Sequence, residues 1–316
     1  MWQDRILAAM QRVRGRVRET PVMAARLGGH AVALKLEHLQ HAGSFKTRGA
    51  FNSLLSRDVP RAGVVAASGG NHGAAVAHAA RSLGVPAAIY VPEIAGPAKI
   101  GLIRAQGALP NVVPGAYADA AAAAAEHRTR TGAMEIHPYD DPETVAGQGT
   151  LMLEWERQGL EADTVLIAVG GGGLMAGALA WLGGRRRVVA VEPERSRALH
   201  AALEAGAPVD VEVGGIAANA LGARRTGRIA FDLAREAGTR VALVSEEAIL
   251  KARALLWTEL RQWVEPAGAA ALAALLSGAY RPEEGERVAV LVCGANPSED
   301  PLLREGARVD TGPPAR

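Results

Sequence analysis

The chain has 316 residues, of which 49% are hydrophobic and 22% charged, so it is long enough for one large globular domain or two smaller ones. Its formal net charge of +2 comes from scattered arginines and only 4% of its residues are aromatic, which argues against nucleic acid as a partner. Charges interrupt the short apolar pieces of the N-terminal stretch, so we expect neither a signal peptide nor a membrane helix, and a cytoplasmic location.

Short β-rich runs alternate with helical patterns along the whole chain. In chain order, the predicted strands are AVALKLE (31–37), GVVAAS (63–68), PAAIYVP (86–92), DTVLIAVG (163–170), RVVAVEP (187–193), RVALVS (240–245) and RVAVLVCG (287–294). The clearest helical patterns are NHGAAVAHAARSLG (71–84), PAKIGLIRAQG (97–107), AYADAAAAAAEHRTR (116–130) and EEAILKARALLWTELRQW (246–263). This alternation predicts an α/β fold with parallel sheets covered by helices on both faces. Ligands then bind at the loops that follow the carboxyl ends of strands.

Four consecutive glycines, Gly170 to Gly173, join a predicted strand to a helix of small residues. A backbone without Cβ atoms wraps closely, and its free N–H groups together with the helix N-terminus favour a phosphate. A tightly packed turn is one alternative. A nicotinamide dinucleotide site is another, because Glu192 follows roughly twenty residues later, although the G-x-G-x-x-G spacing is met only as GGGLMAG (171–177).

A second loop of this kind, ASGGNHGAAV (67–76), also follows a strand and opens a helix. Ser68 and Asn71 offer side-chain hydrogen bonds, Gly69 and Gly70 open the backbone, and the helix N-terminus favours an anion such as a carboxylate. An ordinary helix N-cap is the alternative explanation.

The lysines are rare in this chain, which makes the position of one of them informative. Of the 35 basic side chains only four are lysines: Lys35, Lys46, Lys99 and Lys251. Lys46 lies in a Gly-Ser-Phe loop before a helical stretch, where the helix dipole disfavours a cation and pushes the amine toward its neutral, nucleophilic form. Such an amine forms Schiff bases with carbonyl compounds.

The single cysteine, Cys293, excludes an internal disulfide and ends a predicted strand at a carboxyl edge. A lone cysteine is commonly a small buried hydrophobe, but a thiol in this place could also hold a neutral ring nitrogen. A Schiff-base lysine, a phosphate seat, a carboxylate site and a partner for a pyridine nitrogen are together what pyridoxal 5′-phosphate and an amino acid require.

Six motifs in order resemble the pyridoxal-phosphate-dependent serine/threonine dehydratases of the tryptophan-synthase-β fold type (fold type II). They are GSFKTRGA (43–50), SGGNHG (68–73), GQGT (147–150), GGGGL (170–174), VEPAGAAALAAL (264–275) and CGAN (293–296). The resemblance implies two open, twisted, mostly parallel sheets, with a small domain of residues 46–140 inserted in a large cofactor-binding domain of residues 1–45 and 141–316. It also implies a homodimer.

The resemblance further implies a role for individual residues. Lys46 would hold the cofactor and act as the catalytic base, with Phe45 on one face of the ring and Ala218 on the other. Asn71 would bind the ring hydroxyl and Cys293 would face the ring nitrogen. The phosphate would bind to the amides of Gly170, Gly171, Gly172, Gly173 and Leu174. The substrate would bind to Ser68, Gly69, Gly70, Asn71, His72 and Gln148.

The implied reaction is β-elimination from L-serine, L-threonine or a related β-hydroxy amino acid, giving a 2-oxo acid and ammonia. Alternatives within the same cofactor class are β-replacement, as in cysteine synthesis, and racemisation, which Gly69 disfavours because glycine cannot donate a proton. A non-catalytic cofactor carrier and a nicotinamide-dependent oxidoreductase are further alternatives. In many members of the family that the chain resembles, the region around residue 218 is an acidic stretch associated with a divalent metal; Ala218 to Ala220 lack acidic residues, so we predict no metal site. The sequence alone says of Glu265 only that its negative charge is favourable at a helix N-terminus. The resemblance places Glu265 near the cofactor.

Overall fold

The structure, a computed structural model, describes residues 1–296 of the chain. The strands are β1 (Val22–Leu27), β2 (His30–Lys35), β3 (Val64–Ala67), β4 (Ala87–Pro92), β5 (Pro110–Val113), β6 (Met134–Glu135), β7 (Thr164–Ala168), β8 (Arg187–Pro193), β9 (Arg240–Val244) and β10 (Val288–Leu291). The helices are α1 (Trp2–Val13), α2 (Lys46–Leu55), α3 (Asn71–Leu83), α4 (Gly96–Ala105), α5 (Tyr117–Thr131), α6 (Pro142–Arg157), α7 (Gly173–Leu182), α8 (Ala198–Ala205), α9 (Ala218–Leu221), α10 (Arg228–Glu236), α11 (Glu246–Leu260) and α12 (Pro266–Ser277).

The strands form two sheets. Six strands are arranged in the order β1-β2-β10-β7-β8-β9, and four in the order β5-β4-β3-β6. The pairings in both sheets are parallel, apart from the antiparallel pair of β1 and β2. This hairpin turns through Gly28 and Gly29, whose φ angles of 55° and 88° cost glycine little. The prediction of an α/β fold with two mostly parallel sheets is confirmed.

Helices cover the strands, and the strands are apolar for that reason. All five residues of β7 are buried, and α12 packs across β7, β8 and β9 with fully buried residues such as Leu272. In the smaller sheet α3 and α5 both pack on β3 and β4, where Val64 and Ile89 are fully buried. Each sheet therefore has its own apolar core.

The strand order places three distant segments side by side. β2, β10 and β7 are neighbours in parallel register, so their carboxyl ends lie at the same edge of the larger sheet. The chain that leaves β2 leads through two short turns to Lys46, the chain that leaves β7 enters the glycine run, and β10 leads to Cys293. This edge is where parallel sheets bind ligands.

Candidate active site

A pocket lies at this edge of the larger sheet, against the N-terminus of α3. It is lined by Phe45, Lys46, Asn71, Ala168, Gly170, Gly171, Gly172, Gly173, Leu174, Ala220, Leu221, Glu265, Ala267 and Cys293. Except for Ala218, the residues predicted to bind a cofactor therefore meet in one place.

A wider, open crevice lies at the opposite, amino ends of β7, β8 and β9. Several of its charged side chains pair with one another, as Arg187 does with Glu286 at 3.3 Å. The smaller pocket combines an amine, a thiol and a buried carboxyl group, which makes it the candidate active site.

Lys46 is the first residue of α2, and its half-buried side chain lines the pocket. Its Nζ donates a hydrogen bond of 2.6 Å to the carbonyl oxygen of Pro138. Burial lowers the pKa of Lys46 to about 8, because the charged form loses its hydration. A larger fraction of this amine is therefore neutral near pH 7 to 8 than in an ordinary lysine, and the neutral form is the one that a nucleophile or base requires.

The loop before Lys46 pairs with the turn that contains Cys293. The backbone N–H of Phe45 donates to the carbonyl of Cys293 at 3.2 Å, and the N–H of Ala295 donates to the carbonyl of Gly43 at 2.9 Å. The thiol of Cys293 donates to the carbonyl of Ala267 at 3.4 Å, and burial raises its pKa well above the ordinary range. Cys293 therefore faces the pocket as a neutral thiol.

The glycine run forms a cradle whose shape the surrounding packing dictates. A Cβ on Gly171 would lie 2.2 Å from the ring of Tyr139, and a Cβ on Gly172 would lie 2.4 Å from Ala230. Gly172 also has a φ of 91°, which favours glycine. Within residues 1–296, the amides from Gly170 to Leu174 donate to no backbone or side-chain acceptor. Unused N–H groups at a helix N-terminus are the hallmark of an anion site.

Asn71 and Glu265 form the polar side of the pocket. Nδ2 of Asn71 donates to Oε1 of Glu265 at 2.5 Å, and Nδ2 of Asn296 donates to Oδ1 of Asn71 at 2.7 Å. Burial raises the pKa of Glu265 to about 7, although Asn71 and the more distant Lys99 favour its ionised form. Sequence reasoning from helix position alone misses this role of Glu265, because its partner Asn71 comes from a helix that packs on the other sheet.

The other residues of the predicted carboxylate loop lie beside the pocket rather than in its lining. Ser68 Oγ accepts a hydrogen bond of 3.2 Å from the N–H of Gly70. A Cβ on Gly69 would lie 2.7 Å from Ala95, so this position faces the small sheet's own packing. His72 donates from Nε2 to the carbonyl of Ile136 at 2.7 Å, and burial lowers its pKa to about 3, so it is neutral. His72 thus packs against the chain just after β6 instead of entering the pocket.

Two predicted site residues, Ala218 and Gln148, lie outside the lining of this pocket. Ala220 and Leu221 of the short helix α9 line the pocket and Ala218 does not, so the place of Ala218 against the cofactor ring stays a prediction. Gln148 is buried on α6 against α2, where a Cβ on Gly49 would lie 2.4 Å from its Nε2, and it is absent from the pocket lining. Both amide atoms of Gln148 are buried without a hydrogen-bond partner in the described part of the chain, and its role as a substrate ligand stays a prediction.

A lysine that the sequence did not assign lies above the pocket. Nζ of Lys99, on α4, donates to Oδ1 of Asn219 at 2.6 Å. The backbone carbonyl of Asn219 lies 3.4 Å from where a Cβ on Gly70 would be. The short helix α9 therefore lies close to both α4 and the loop before α3, and its Ala220 and Leu221 line the pocket.

Glu192, which a nicotinamide site would require as a ribose ligand, has another function. Its carboxylate accepts hydrogen bonds of 2.9 Å from the N–H groups of Leu199 and His200 at the start of α8. The carboxylate caps a helix of its own chain, which argues against the nicotinamide alternative. In the described part of the chain, no cluster of three His, Cys, Asp or Glu side chains could hold a metal ion, and no helix is long and apolar enough to cross a membrane.

The pocket fits pyridoxal phosphate on its own chemistry. The amides of the glycine run, which have no acceptor within residues 1–296, suit a phosphate, the amine of Lys46 suits an aldehyde, and the neutral thiol of Cys293 suits a ring nitrogen. Residues 13–294 match the model of the pyridoxal-phosphate dependent enzyme family, and the chain belongs to this family. The predicted family and cofactor are confirmed.

Individual relatives show which members of this enzyme family the chain is similar to over most of its length. Phenylserine dehydratase of Ralstonia pickettii is 39% identical over 291 residues, which are 89% of this chain and 88% of that protein. The crystal structure of a threonine deaminase from T.th. matches with a TM-score of 0.87 at 37% identity, covering 94% of this chain and 99% of that one. The structure of maize serine racemase matches with a TM-score of 0.90 at 31% identity, covering 96% and 95% of the two chains.

Covalent uptake of the cofactor should depend on pH through Lys46. Only the neutral amine attacks the aldehyde, and the pKa of about 8 means that the rate should rise with pH up to about 8 and then level off. For an ordinary lysine side chain, with a pKa of 10.5, the rate of this reaction would still rise about tenfold per pH unit at pH 9. The measurement is the growth of visible absorbance after mixing cofactor-free protein with pyridoxal phosphate. The control amine is Nα-acetyl-lysine, whose side-chain amine is free and exposed to water. A rate that climbs steadily beyond pH 9 would contradict the lowered pKa.

Proposed function

We propose that the protein catalyses β-elimination from a β-hydroxy amino acid, releasing ammonia and a 2-oxo acid. It is a pyridoxal-phosphate-dependent ammonia-lyase of the dehydratase type, like the phenylserine dehydratase and the threonine deaminase that it resembles over most of its length. The observation that carries the proposal is the pocket in which the amine of Lys46 and the neutral thiol of Cys293 face the glycine cradle.

Lys46 is the residue that we assign to proton transfer. Pyridoxal phosphate, when bound, withdraws electrons from Cα of the amino acid and so makes the Cα proton acidic. The lowered pKa of Lys46 leaves its amine able to take that proton near neutral pH. The carbonyl of Pro138 orients the amine at 2.6 Å, and a carbonyl oxygen accepts hydrogen bonds without supplying a proton.

The start of α3 is the proposed site for the substrate carboxylate. Within the described residues, the backbone N–H groups of Asn71, His72 and Gly73 donate to no backbone or side-chain acceptor. They point along the positive end of a helix of 13 residues, which favours an anion. Ser68 holds the preceding turn through Gly70, so it shapes the site for the carboxylate.

The neutral thiol of Cys293 favours elimination over slower reactions of the same cofactor. A thiol whose pKa is raised by burial would hold a ring nitrogen without protonating it fully, so Cys293 would limit how strongly the bound cofactor withdraws electrons. Charge on Cα is then short-lived, which suits the prompt loss of a β-hydroxyl group. Transamination, which needs a longer-lived carbanion, is disfavoured.

Racemisation is the alternative that the structural likeness to maize serine racemase raises. A racemase needs a second proton donor on the opposite face of the substrate, and the resemblance places that donor at position 69. Gly69 has no side chain, and a Cβ there would meet Ala95 at 2.7 Å and Val91 at 3.1 Å. The packing at this position thus supports elimination as the main reaction.

A substrate panel tests the function. We expect the purified holoenzyme to release 2-oxo acid from L-threonine, L-serine or threo-phenylserine, with at least one turned over well above the D-enantiomers. Chiral analysis of the remaining amino acid detects racemisation, and O-acetylserine with sulfide detects β-replacement. A holoenzyme that binds the cofactor but releases no 2-oxo acid from any of the three would exclude the proposed reaction.

The domain organisation, the assembly and the cellular location remain proposals. Residues 1–45 and 141–316 would form the large domain and residues 46–140 the small one, with 297–316 outside the described range. The strands of the larger sheet all fall in the first set and those of the smaller sheet in the second, which supports this division. We further propose a cytoplasmic homodimer whose partner is a small amino-acid substrate, without nucleic acid or membrane.

A further inference from the structure

Asn296 joins three segments that meet at the pocket. Its Nδ2 donates to the carbonyl of Ala42 at 2.7 Å and to Oδ1 of Asn71 at 2.7 Å. Ala42 belongs to the loop before Lys46, Asn71 begins α3 beside the smaller sheet, and Asn296 follows the Cys293 turn. A single amide group therefore links the lysine loop, the smaller sheet and the end of β10.

The direction of these hydrogen bonds is fixed by one backbone group. The carbonyl oxygen of Ala42 can only accept, so the atom of Asn296 that faces it must be the NH₂ group. The second hydrogen of that group then reaches Asn71, which must present Oδ1 to it. As a result Nδ2 of Asn71 points the other way, toward Glu265 and the pocket.

The surrounding backbone is shaped to accommodate this amide. A Cβ on Gly43 would lie 2.4 Å from Oδ1 of Asn296, and Gly43 has a φ of 71° that favours glycine. Ala42 has a φ of 55°, which is uncommon for a residue with a side chain and costs about 1 kcal/mol or more. A Cβ on Gly294 would lie 2.2 Å from Glu265 and 3.3 Å from Nδ2 of Asn71. Two glycines and a strained alanine thus permit the close approach of three side chains.

We propose that Asn296 is a positioning residue, which orients the amide of Asn71 so that a hydrogen-bond donor rather than an acceptor faces the cofactor ring. Nδ2 of Asn71 has two hydrogens, and Glu265 takes one of them, so the other is available to an oxygen on the ring. The proposal deepens the function given above and rests on its cofactor, but it does not depend on which amino acid is the substrate.

The test is the absorption spectrum of the substrate-free holoenzyme in Asn296→Asp. A carboxylate of the same shape cannot donate to Ala42 or to Oδ1 of Asn71, so Asn71 should turn its NH₂ group toward position 296 and its oxygen toward the ring. Loss of a donor to the ring oxygen should shift the bound cofactor from its visible to its near-ultraviolet absorption, changing the ratio of the two bands by about fivefold, the effect of one hydrogen bond. The matched control is Asn111→Asp, the same substitution at an exposed position of β5.

A second variant separates positioning from a merely structural role. In Asn71→Ala, which lacks the amide, adding Asn296→Asp should leave the band ratio unchanged, because Asn296 acts through Asn71. An additional shift in the double variant, or an unaltered ratio in a folded Asn296→Asp, would refute the proposal. If Asn296→Asp does not fold, Asn296→Ala removes the donor without adding a charge, and a wild-type ratio in that protein is equally decisive. Since no turnover is needed, a wrong substrate assignment would leave these results untouched.

Discussion

Lys46→Arg should abolish turnover while the protein remains folded. Arginine keeps a positive charge and a long side chain, but its pKa above 12 denies it a neutral amine that could attack an aldehyde or take the Cα proton. In the wild type, burial brings the pKa of Lys46 to about 8, and its Nζ is held at 2.6 Å by Pro138. We expect a loss of at least about 10³-fold in kcat, the scale of a missing general base.

The measurement combines 2-oxo acid release with a chemical test of the covalent bond. Borohydride reduction followed by peptide mass analysis should place the cofactor on Lys46 in the wild type and find no attachment there in Lys46→Arg. Lys251→Arg, the same substitution on the exposed face of α11, should behave as the wild type in both assays. Turnover in Lys46→Arg within tenfold of the wild type would remove Lys46 from the chemistry.

Much of this site was predictable because motifs mark the carboxyl ends of strands. The glycine run follows β7 and Cys293 follows β10, so the parallel topology of the larger sheet brings these two together, and the SGGNHG loop follows β3 at the carboxyl edge of the smaller sheet. Lys46 was predictable for a different reason. In a chain that uses arginine almost everywhere, a lysine in a glycine-containing loop before a helix indicates a need for its amine.

Contacts between distant segments were not predictable from patterns. Glu265 hydrogen-bonds with Asn71, 194 positions away, and the amine of Lys46 finds a backbone carbonyl of Pro138, which no side-chain motif reveals. Patterns also do not show that Ala220 and Leu221 of the short helix α9 line the pocket. Gln148 adjoins glycines in a motif, but α6 turns it toward α2.

The strands that sequence reasoning missed have weak patterns. β1 alternates between exposed and half-buried residues until Leu27, and it pairs antiparallel at the edge of the sheet. β5 and β6 have four and two residues, too few to show a period. Their places are set by tertiary pairing rather than by local preference.

A buried cluster of charges beneath α2 also escaped the sequence, where its members look like scattered surface residues. Nε of Arg48 donates to Glu37 at 2.5 Å, and Nη2 of Arg48 lies 2.8 Å from Glu154. Glu154 in turn pairs with Lys35 at 2.6 Å. Arg48, Glu37 and Lys35 have no exposed surface. Because Arg48 lies two residues after Lys46, this cluster fixes the first turn of the helix that carries the catalytic amine.

Arg48→Met should destabilise the protein strongly, since it leaves a buried carboxylate without its cation. Removing one partner of a buried ion pair costs about 3–5 kcal/mol. Arg128→Met is the matched control, because Arg128 pairs with Glu135 at the surface, where about half of each side chain is exposed and an ion pair contributes at most about 1 kcal/mol. Urea unfolding of the holoenzymes, followed by circular dichroism, measures both changes. Equal losses in the two variants would show that the buried cluster has no special weight.

Adding Glu37→Gln to Arg48→Met should then restore part of the lost stability. In the single variant Glu154 keeps Lys35 at 2.6 Å, but Glu37 retains only neutral partners such as Thr20 at 2.7 Å. Neutralising Glu37 removes the unpaired charge, so the two substitutions should be clearly non-additive, with a coupling of about 1–3 kcal/mol. If the double variant is instead less stable than Arg48→Met by the full cost of Glu37→Gln alone, the loss reflects poor packing of methionine and not a stranded carboxylate. The distinction matters for catalysis. If the buried charges anchor α2 electrostatically, the double variant should recover the covalent cofactor bond at Lys46 together with stability. If the loss comes from the packing of methionine, that bond should not recover.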